Sequence, residues 1–200
     1  VFLGHSGSGK TTFIETMLFE SGVIPRRGSV ENHNTISDFT DLEHERENTL
    51  YSHLMHVKWH NNKINIIDTP GFDDFIGEVV SSLKVADTAV ILLNAASGVE
   101  VGTEIVWEYV QNYQTPAFFV INQMDQPKAD FETTLEQAVN RFGNKVIPIQ
   151  YPYNSGEKFN SIIDVLRMTM YVFPENGGKP EKMPIPASEL EKANALHNAL

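Results

Sequence analysis

The sequence predicts an α/β fold with a mostly parallel sheet and helices on both of its faces. Between residues 1 and 150, apolar segments of strand length alternate with segments of helical period, which is typical of strand–helix–strand crossovers. The segments 88–94 and 117–121 are continuously apolar, as expected for strands that helices cover on both sides. Polar motifs follow three of the predicted elements. Because ligands of such sheets bind beyond the carboxyl ends of the strands, we expect these motifs to lie close together.

Composition narrows the class of protein. The chain has 200 residues, of which 41% are hydrophobic, so it can bury a core. Its net charge of −11 argues against a broad basic face for nucleic acid, and the lack of cysteine excludes disulfides and thiolate zinc sites. No apolar run approaches the roughly 20 residues of a membrane helix. We expect a cytoplasmic, monomeric chain without a membrane or DNA partner. It opens inside a strand and ends inside a helical pattern, so we expect a fragment of a longer protein.

The elements of the first 150 residues follow from local period and turn residues. A helix is predicted over 10–20, whereas the polar segment 25–48 shows no sustained period. Its position between a glycine-rich loop and the next strand favours a nucleotide-sensing switch over a solvated surface excursion. The remaining predicted elements are an antiparallel edge hairpin of strands 50–59 and 64–67 with a turn at 60–63, helices over 72–85, 101–113 and 131–142, and a strand over 146–150.

The last fifty residues change character, so 151–200 is predicted to be a small appended subdomain. Turn residues dominate 151–156, and a short apolar segment follows at 161–171. A final helix is predicted from Ser188, with Ser188 as its N-cap and Glu191 as the capping-box partner.

The opening motif fits the phosphate-binding pattern Gly4-x-x-x-x-Gly9-Lys10-Thr11 between a strand and a helix. In such a loop, glycines allow successive backbone N–H groups to surround a phosphate at the positive end of the following helix. The Lys10 ammonium would reach the β- and γ-phosphates, and the Thr11 hydroxyl would bind Mg²⁺. A chance glycine-rich turn is disfavoured by the strand and helix around it. The candidate nucleotide-binding residues here are His5, Ser6, Gly7, Ser8, Gly9, Lys10, Thr11 and Thr12.

The second motif, Asp68-Thr69-Pro70-Gly71, ends a predicted strand. Asp68 stands where a phosphate-loop protein needs a carboxylate near Mg²⁺, and Gly71 can bring its N–H against a γ-phosphate because it has no Cβ. In isolation an ordinary strand-ending turn would be the better interpretation; after a phosphate loop, a nucleotide switch is favoured. Thr49, just before the hairpin, is a third candidate oxygen ligand for Mg²⁺, although alone it would be a strand-initiating threonine.

The third motif, Asn122-Gln123-Met124-Asp125, indicates the base. Guanine presents adjacent N1–H and N2–H donors that one carboxylate can accept together, whereas adenine would face Asp125 with a lone pair. Asn122 can bond the base or tie neighbouring loops together. The alternative is a polar strand end that caps the next helix, which Asp125 could do alone. A small-molecule kinase is disfavoured by this motif, and a preference for adenosine nucleotides would revive it.

These motifs resemble those of translational GTPases, and most closely those of bacterial elongation factor G. The likeness covers essentially the whole chain and includes both nucleotide switches. The similar segments are 4–12, Asp38-Phe39 with 43–50, 68–75, 97–100, 148–150 and 162–165.

The resemblance implies a phosphate-loop GTPase fold, with a G domain over 1–150 and the start of an inserted α+β subdomain over 151–200. It also implies GTP or GDP with Mg²⁺ as ligands, switching through 38–49 and 68–75, and engagement of the ribosome at translocation. Ribosomal protection proteins of the tetracycline-resistance type share this G domain and are the alternative within the family. By this resemblance, Lys10 and Gln123 are expected to contact the nucleotide.

Several family positions differ in this chain. Phe72 stands where the family has the histidine that positions the attacking water, and phenylalanine has no donor or acceptor for that role. Gly7 replaces an aspartate, Gln123 a lysine, and Glu47-Asn48 a Gly-Ile pair. We therefore predict a GTP-binding paralogue with weak or absent hydrolysis. Phe72 is then a defective catalytic position, and Lys10 is the catalytic residue that is retained. The alternative is ordinary turnover, with water positioned by another group or by the ribosome.

Overall fold

The computed structural model describes residues 1–37, 40–46, 49–71, 75–175 and 177–200, with the side chains of His44 and Arg46 outside the description. The chain divides into two compact units. The first comprises 1–94 and 99–122, and the second comprises 95–98 and 123–200. The G-domain boundary at 150 and the start of an inserted subdomain at 151 stay predictions.

The first unit contains a five-stranded sheet in the order β2-β3-β1-β4-β5. β1 runs parallel to β3 and β4, and β4 runs parallel to β5, whereas β2 is antiparallel to β3 at one edge. The predicted α/β fold and the edge hairpin are therefore confirmed. The elements are β1 (Phe2–Leu3), α1 (Lys10–Glu20), α2 (Asp41–Arg46), β2 (His53–Trp59), β3 (Asn62–Asp68), α3 (Ile76–Leu83), β4 (Ala89–Asn94), α4 (Val101–Asn112) and β5 (Ala117–Asn122).

Parallel pairing sets where the polar motifs lie. Phe2 of β1 is in register with Asp68 of β3, and Asn94 of β4 with Asn122 of β5. The carboxyl ends of β1, β3 and β5 consequently share one edge of the sheet, where ligands of such folds bind.

The core of the first unit forms where α1 covers the sheet. Ile14 and Leu18, one turn apart on α1, are buried together with side chains from four strands. This contact packs α1, which begins directly after the loop, against the sheet. The buried strand residues of this cluster are Phe2, Val57, Ile66 and Leu92.

The hairpin closes through a two-residue turn at His60 and Asn61. Trp59 pairs with Asn62, and the two turn residues have φ values of 44° and 65°. Positive φ at both positions is the type I′ geometry that matches the twist of the two strands.

The second unit contains a four-stranded antiparallel sheet in the order β6-β7-β8-β9, α-helices on either side of it in the sequence, and a short 3-10 helix over Gly156–Lys158. Its buried cluster consists of Tyr151, Ile163, Val165, Met170, Ile185 and Ala193. Its elements are α5 (Phe131–Phe142), β6 (Gln150–Pro152), β7 (Ser161–Asp164), β8 (Thr169–Val172), β9 (Glu181–Met183) and α6 (Leu190–Ala199).

The structure corrects three local predictions. The segment 25–48 contains the short helix α2, although its six residues carry too little periodicity to predict. The strand expected at 146–150 starts at Gln150 instead; Pro148 lacks the N–H that a ladder requires. The last helix has Glu189 rather than Ser188 at its N-cap, without a side-chain capping bond, so the capping box with Glu191 is wrong.

The described helices are all too short or too polar to cross a lipid bilayer.

Candidate functional site

The glycine-rich loop occupies residues 4–9, between β1 and α1. Gly9 takes a left-handed conformation with φ 88°, and its carbonyl accepts the first helical hydrogen bond, from Phe13 N at 2.9 Å. Gly7 is also left-handed, with φ 78°. A Cβ at Gly7 would meet nothing within 4 Å, so the backbone angle rather than crowding favours glycine there.

Lys10 points into this loop and is only 6% exposed. Its ammonium donates to the carbonyl oxygens of Gly4 at 2.9 Å and His5 at 3.1 Å, which meets the need of a buried charge for polar partners. Gly71 comes very close to the same group. A Cβ added at Gly71 would lie 2.5 Å from Lys10 Nζ and 2.8 Å from Ser6 N. Only glycine permits this approach between the second motif and the loop.

Three side-chain oxygens meet at the start of α1. Thr11 Oγ1 donates to Asp68 Oδ2 at 2.9 Å and lies 3.1 Å from Thr49 Oγ1. Because Thr11 gives its single proton to Asp68, Thr49 is the donor in the second bond. Asp68 is fully buried and Thr49 is 8% exposed, whereas Thr11 is half-buried. The fold thus brings together the three side chains that the sequence predicted as magnesium ligands.

The chemistry of this cluster fits Mg²⁺, which prefers carboxylate and other oxygen ligands. One carboxylate and two hydroxyls converge from three separate segments of the chain. Thr11, Thr49 and Asp68 are the residues that could hold such an ion.

Thr69 fixes the second motif against β1. Its hydroxyl is buried and donates to the Phe2 carbonyl at 2.7 Å. This bond continues the register between Phe2 and Asp68 by one residue, so the chain turns toward the loop directly after β3. The position of Asp68 and Gly71 is consequently set by the sheet itself.

The end of β5 is tied to the loop through Asn122. Its Nδ2 donates to the Ser8 carbonyl at 2.9 Å, which is the loop-tying role considered from the sequence. His5, on the other side of the loop, has Nε2 3.6 Å from Glu100 Oε1 at the N-cap of α4. Thr12 lies exposed in the first turn of α1.

The oxygen cluster does not include the remaining predicted site residues. Gln123 and Asp125 belong to the second unit, where Gln123 is left-handed with φ 60° and Asp125 is exposed. Their contact with a base stays a prediction. The other switch positions discussed from the sequence lie outside the described residues; these are Asp38, Phe39, Glu47, Asn48, Phe72, Asp73 and Asp74.

Two buried carboxylates near the site were not identified from the sequence. The first is Glu15 of α1, which is 2% exposed. Its two oxygens accept from Gly28 N at 2.9 Å and Ile36 N at 3.0 Å, so it pins part of the polar segment to α1. The one local signal is a charged residue between the core positions Ile14 and Leu18, which is weak.

The second is Glu43 of α2, which is 1% exposed. It forms a reciprocal capping box with Thr40: Thr40 N donates to Glu43 Oε2 at 3.3 Å, and Glu43 N donates to Thr40 Oγ1 at 3.3 Å. The spacing Thr40-x-x-Glu43 is a helix-start signature that the sequence carried. Glu43 Oε1 also accepts from His53 Nε2 at 2.9 Å.

The environment of Glu43 lowers its pKa to about 2. Burial alone would raise the pKa of this carboxyl. Hydrogen bonds from His53, Thr40 and Leu50 to the charged form act in the opposite direction and outweigh it. Glu43 is therefore an ionised, fully bonded carboxylate inside the segment that precedes β2.

The fold and the site together define a nucleotide-binding protein of the phosphate-loop α/β class. Residues 1–197 match the model of the elongation factor Tu GTP-binding domain. The chain therefore belongs to this family of translational GTPases, which binds guanine nucleotides.

Particular relatives narrow the likeness to elongation factor G. Elongation factor G of Mycoplasma genitalium is 38% identical over 99% of this chain, and that of Mycoplasma pneumoniae is 40% identical over 92%. A crystal structure of a Thermus thermophilus protein superposes with a TM-score of 0.92, covering 99% of this chain at 30% identity. The chain spans only 29%, 27% and 29% of these three relatives.

Proposed function

We propose that this chain is the GTP-binding part of an elongation factor G-like protein that acts on the ribosome at the translocation step. The observation that carries the proposal is the Thr11–Thr49–Asp68 oxygen cluster at the mouth of the phosphate loop. It supports a site for a nucleotide phosphate with Mg²⁺ rather than a glycine-rich turn of purely structural use.

The loop residues bind and orient the nucleotide in this proposal. Lys10 moves its ammonium from the carbonyls of Gly4 and His5 to the phosphates, which replaces two neutral acceptors with anionic ones. Gly71 donates its N–H to the terminal phosphate from the position it already holds beside Lys10. Thr11, Thr49 and Asp68 would hold Mg²⁺, which would supply positive charge to offset that of the phosphates.

Recognition of the base is assigned to the third motif. Asp125 accepts both N–H donors of guanine, Gln123 lays its aliphatic stem over the ring, and Asn122 steadies the loop through Ser8. Each contact beyond the Asn122–Ser8 bond follows from the family pattern and the chemistry of guanine.

Switching is assigned to residues 38–49 and 68–75. Thr49 and Gly71 both touch the phosphate loop or its first helical turn, so a terminal phosphate would be sensed by two segments at once. Loss of that phosphate would remove its contacts with both segments, and this change is the basis of an order–disorder switch.

Hydrolysis is proposed to be weak because Phe72 cannot orient water. This favours a GTP-dependent ribosome-binding switch that is reset by nucleotide exchange. The test is GTP turnover by the full-length protein with and without ribosomes, compared with Phe72→His. We expect the histidine variant to raise turnover by at least about tenfold, in line with the contribution of a positioned proton-transfer group.

Ordinary ribosome-stimulated turnover by the unaltered protein would contradict impaired hydrolysis and leave an active translocation GTPase. Release of ribosomes from tetracycline, without any stimulation of translocation, would instead favour the ribosomal protection function.

A further inference from the structure

The backbone directly after Thr49 is held by carboxylates. Leu50 N and Tyr51 N both donate to Glu43 Oε1, at 3.1 and 3.4 Å. The next amide, Ser52 N, donates to Glu78 Oε2 of α3 at 2.9 Å. Three successive amides that follow a candidate magnesium ligand are therefore bonded to side chains rather than to a neighbouring strand.

Glu43 has more contacts than helix capping needs. Its Oε2 serves the cap, where Thr40 Oγ1 donates to it at 2.7 Å. Its Oε1 serves the other end of the segment, accepting from Leu50, Tyr51 and the ring of His53 at the start of β2. One buried carboxylate thus joins the start of α2 to the start of β2, with Thr49 between them.

The geometry around Thr49 leaves little freedom on its C-terminal side. Leu50 is 4% exposed, and its amide is bonded to an ionised acceptor. Hydrogen bonds to charged groups are shorter and stronger than neutral ones, so Glu43 restrains the chain at the residue next to Thr49. A shift of Leu50 would carry Thr49 Oγ1 away from Thr11.

We propose that Glu43 is a positioning residue that sets the Thr49 hydroxyl beside Thr11 and Asp68, and so couples α2 to the GTP–Mg²⁺ state of the site. The inference rests on the proposed function, because Thr49 matters to a nucleotide only as a magnesium ligand. A carboxylate that merely capped α2 would require the bonds to Thr40 and not those to Leu50 and Tyr51.

The main test compares two nucleotides in the full-length protein with Mg²⁺: a non-hydrolysable GTP analogue and GDP. Glu43→Gln keeps the shape but removes the charge and one acceptor. We expect it to lower the affinity for the GTP analogue about tenfold, which is the loss typical of a charge-assisted hydrogen bond. The affinity for GDP should change less than about twofold. Thr49→Ala should show the same pattern. The double variant should be no weaker than either single variant, because both changes remove the same interaction.

A control variant separates positioning from a general change of charge. Glu108→Gln makes the same change of charge at an exposed carboxylate of α4, outside both proposed switch segments. It should keep the unaltered ratio of GTP-analogue to GDP affinity. Equal weakening of both nucleotides by Glu43→Gln, or full additivity with Thr49→Ala, would overturn the proposal.

Hydrogen exchange without nucleotide provides a second and independent measurement. Glu43→Gln should speed exchange of the Leu50 and Tyr51 amides at least about tenfold over the unaltered protein, whereas Glu108→Gln should not. Unchanged exchange at these amides would overturn the inference whatever the nucleotide data show. If the unaltered protein itself lacks a magnesium-dependent preference for the GTP analogue, the proposed function fails while this measurement still decides whether Glu43 holds the chain at Thr49. Glu43→Asp, which keeps the charge but shortens the reach, replaces Glu43→Gln if the latter does not fold.

Discussion

At the scale of single residues, the site depends on a glycine that permits close packing and on buried side chains that carry charge. Gly71 lets the second motif touch the loop, and Lys10 and Asp68 are charged side chains with almost no exposure. Glu15 and Glu43 use both of their oxygens to hold backbone amides of the polar segment between α1 and β2. That segment is therefore organised by two carboxylates more than by regular secondary structure.

Gly71→Ala is expected to weaken binding of guanine nucleotides by about tenfold or more. The new Cβ would lie 2.8 Å from Ser6 N, and overpacking of this kind costs roughly 1–3 kcal/mol. Fluorescence titration with a labelled GDP measures the change. Gly77→Ala in α3 is the matched control, because a Cβ there meets nothing within 4 Å. Equal affinity of the two variants would contradict the close approach.

Acid stability should depend on Glu43. Its pKa in the folded protein is about 2, below the ordinary value of 4.5, so its contribution is complete above pH 4.5 and is lost as the pH falls toward 2. Between these limits the unaltered protein should lose on the order of 2–3 kcal/mol more stability than Glu43→Gln does. Urea unfolding at a series of pH values measures this difference. Glu108→Gln, at an exposed carboxylate of α4, should follow the unaltered protein. The same loss of stability with falling pH in all three proteins would refute the assignment.

Short elements in the first unit depend on their ends. The helix α2 has only six residues, too few to be stable alone, and relies on the Thr40–Glu43 capping box and on the tertiary bonds of Glu43. The β2–β3 hairpin depends on its turn, where two residues other than glycine hold positive φ values. In both elements a local backbone requirement is met by one or two side chains.

Changing the hairpin turn to Asn-Gly should stabilise the chain. His60 and Asn61 take the left-handed conformation of a type I′ turn, for which Asn-Gly is strongly preferred. The double change His60→Asn with Asn61→Gly should add about 0.5–1 kcal/mol, or roughly 2 °C in melting temperature. Asn61→Val, which places a β-branched residue at φ 65°, should lower the melting temperature instead. Calorimetry measures both shifts, and stabilisation by the valine would show that the turn has another conformation.

At the scale of the whole molecule, the net charge is negative, whereas the candidate site is suited to an anion. A net charge of −11 disfavours broad contact with RNA, yet the site at the carboxyl edge of the first sheet collects cationic and N–H donors for an anion. Ligand recognition is thus concentrated in a few positions, and contact with a ribosome is proposed for the switches and for the rest of the full-length protein.

Nucleotide binding should stabilise the protein in a base-specific way. GDP with Mg²⁺ at about 100 times its dissociation constant should add about 2.7 kcal/mol, or roughly 5–10 °C, whereas ADP should add nothing. Asp125→Ala should abolish the difference between the two nucleotides, and Glu136→Ala, an exposed carboxylate of the same unit, should preserve it. Thermal unfolding followed by circular dichroism measures these shifts. Equal stabilisation by ADP would argue for the kinase interpretation.

The predictability of the site differs from residue to residue. Asp68 and Asn122 follow apolar strands, and parallel pairing then requires their strand ends to share one edge. Glu43 was missed although Thr40-x-x-Glu43 is a recognisable helix start, because nothing local shows that its second oxygen reaches Leu50 and Tyr51. The strand predicted at 146–150 begins only at Gln150. The apolar character of the segment favours a strand, but Pro148 has no N–H to donate to a neighbouring strand.

The sequence by itself determined the α/β fold and the phosphate-loop pattern, and it predicted the three oxygen-bearing side chains that the fold brings together, because these depend on local spacing and on the order of strands and helices. The tertiary structure alone decided how Gly71 approaches Lys10, and how Glu15 and Glu43 hold the polar segment. The physical reason is that a buried carboxylate is satisfied by whichever amides the fold brings within hydrogen-bond distance, and those amides lie 7 to 21 residues away along the chain.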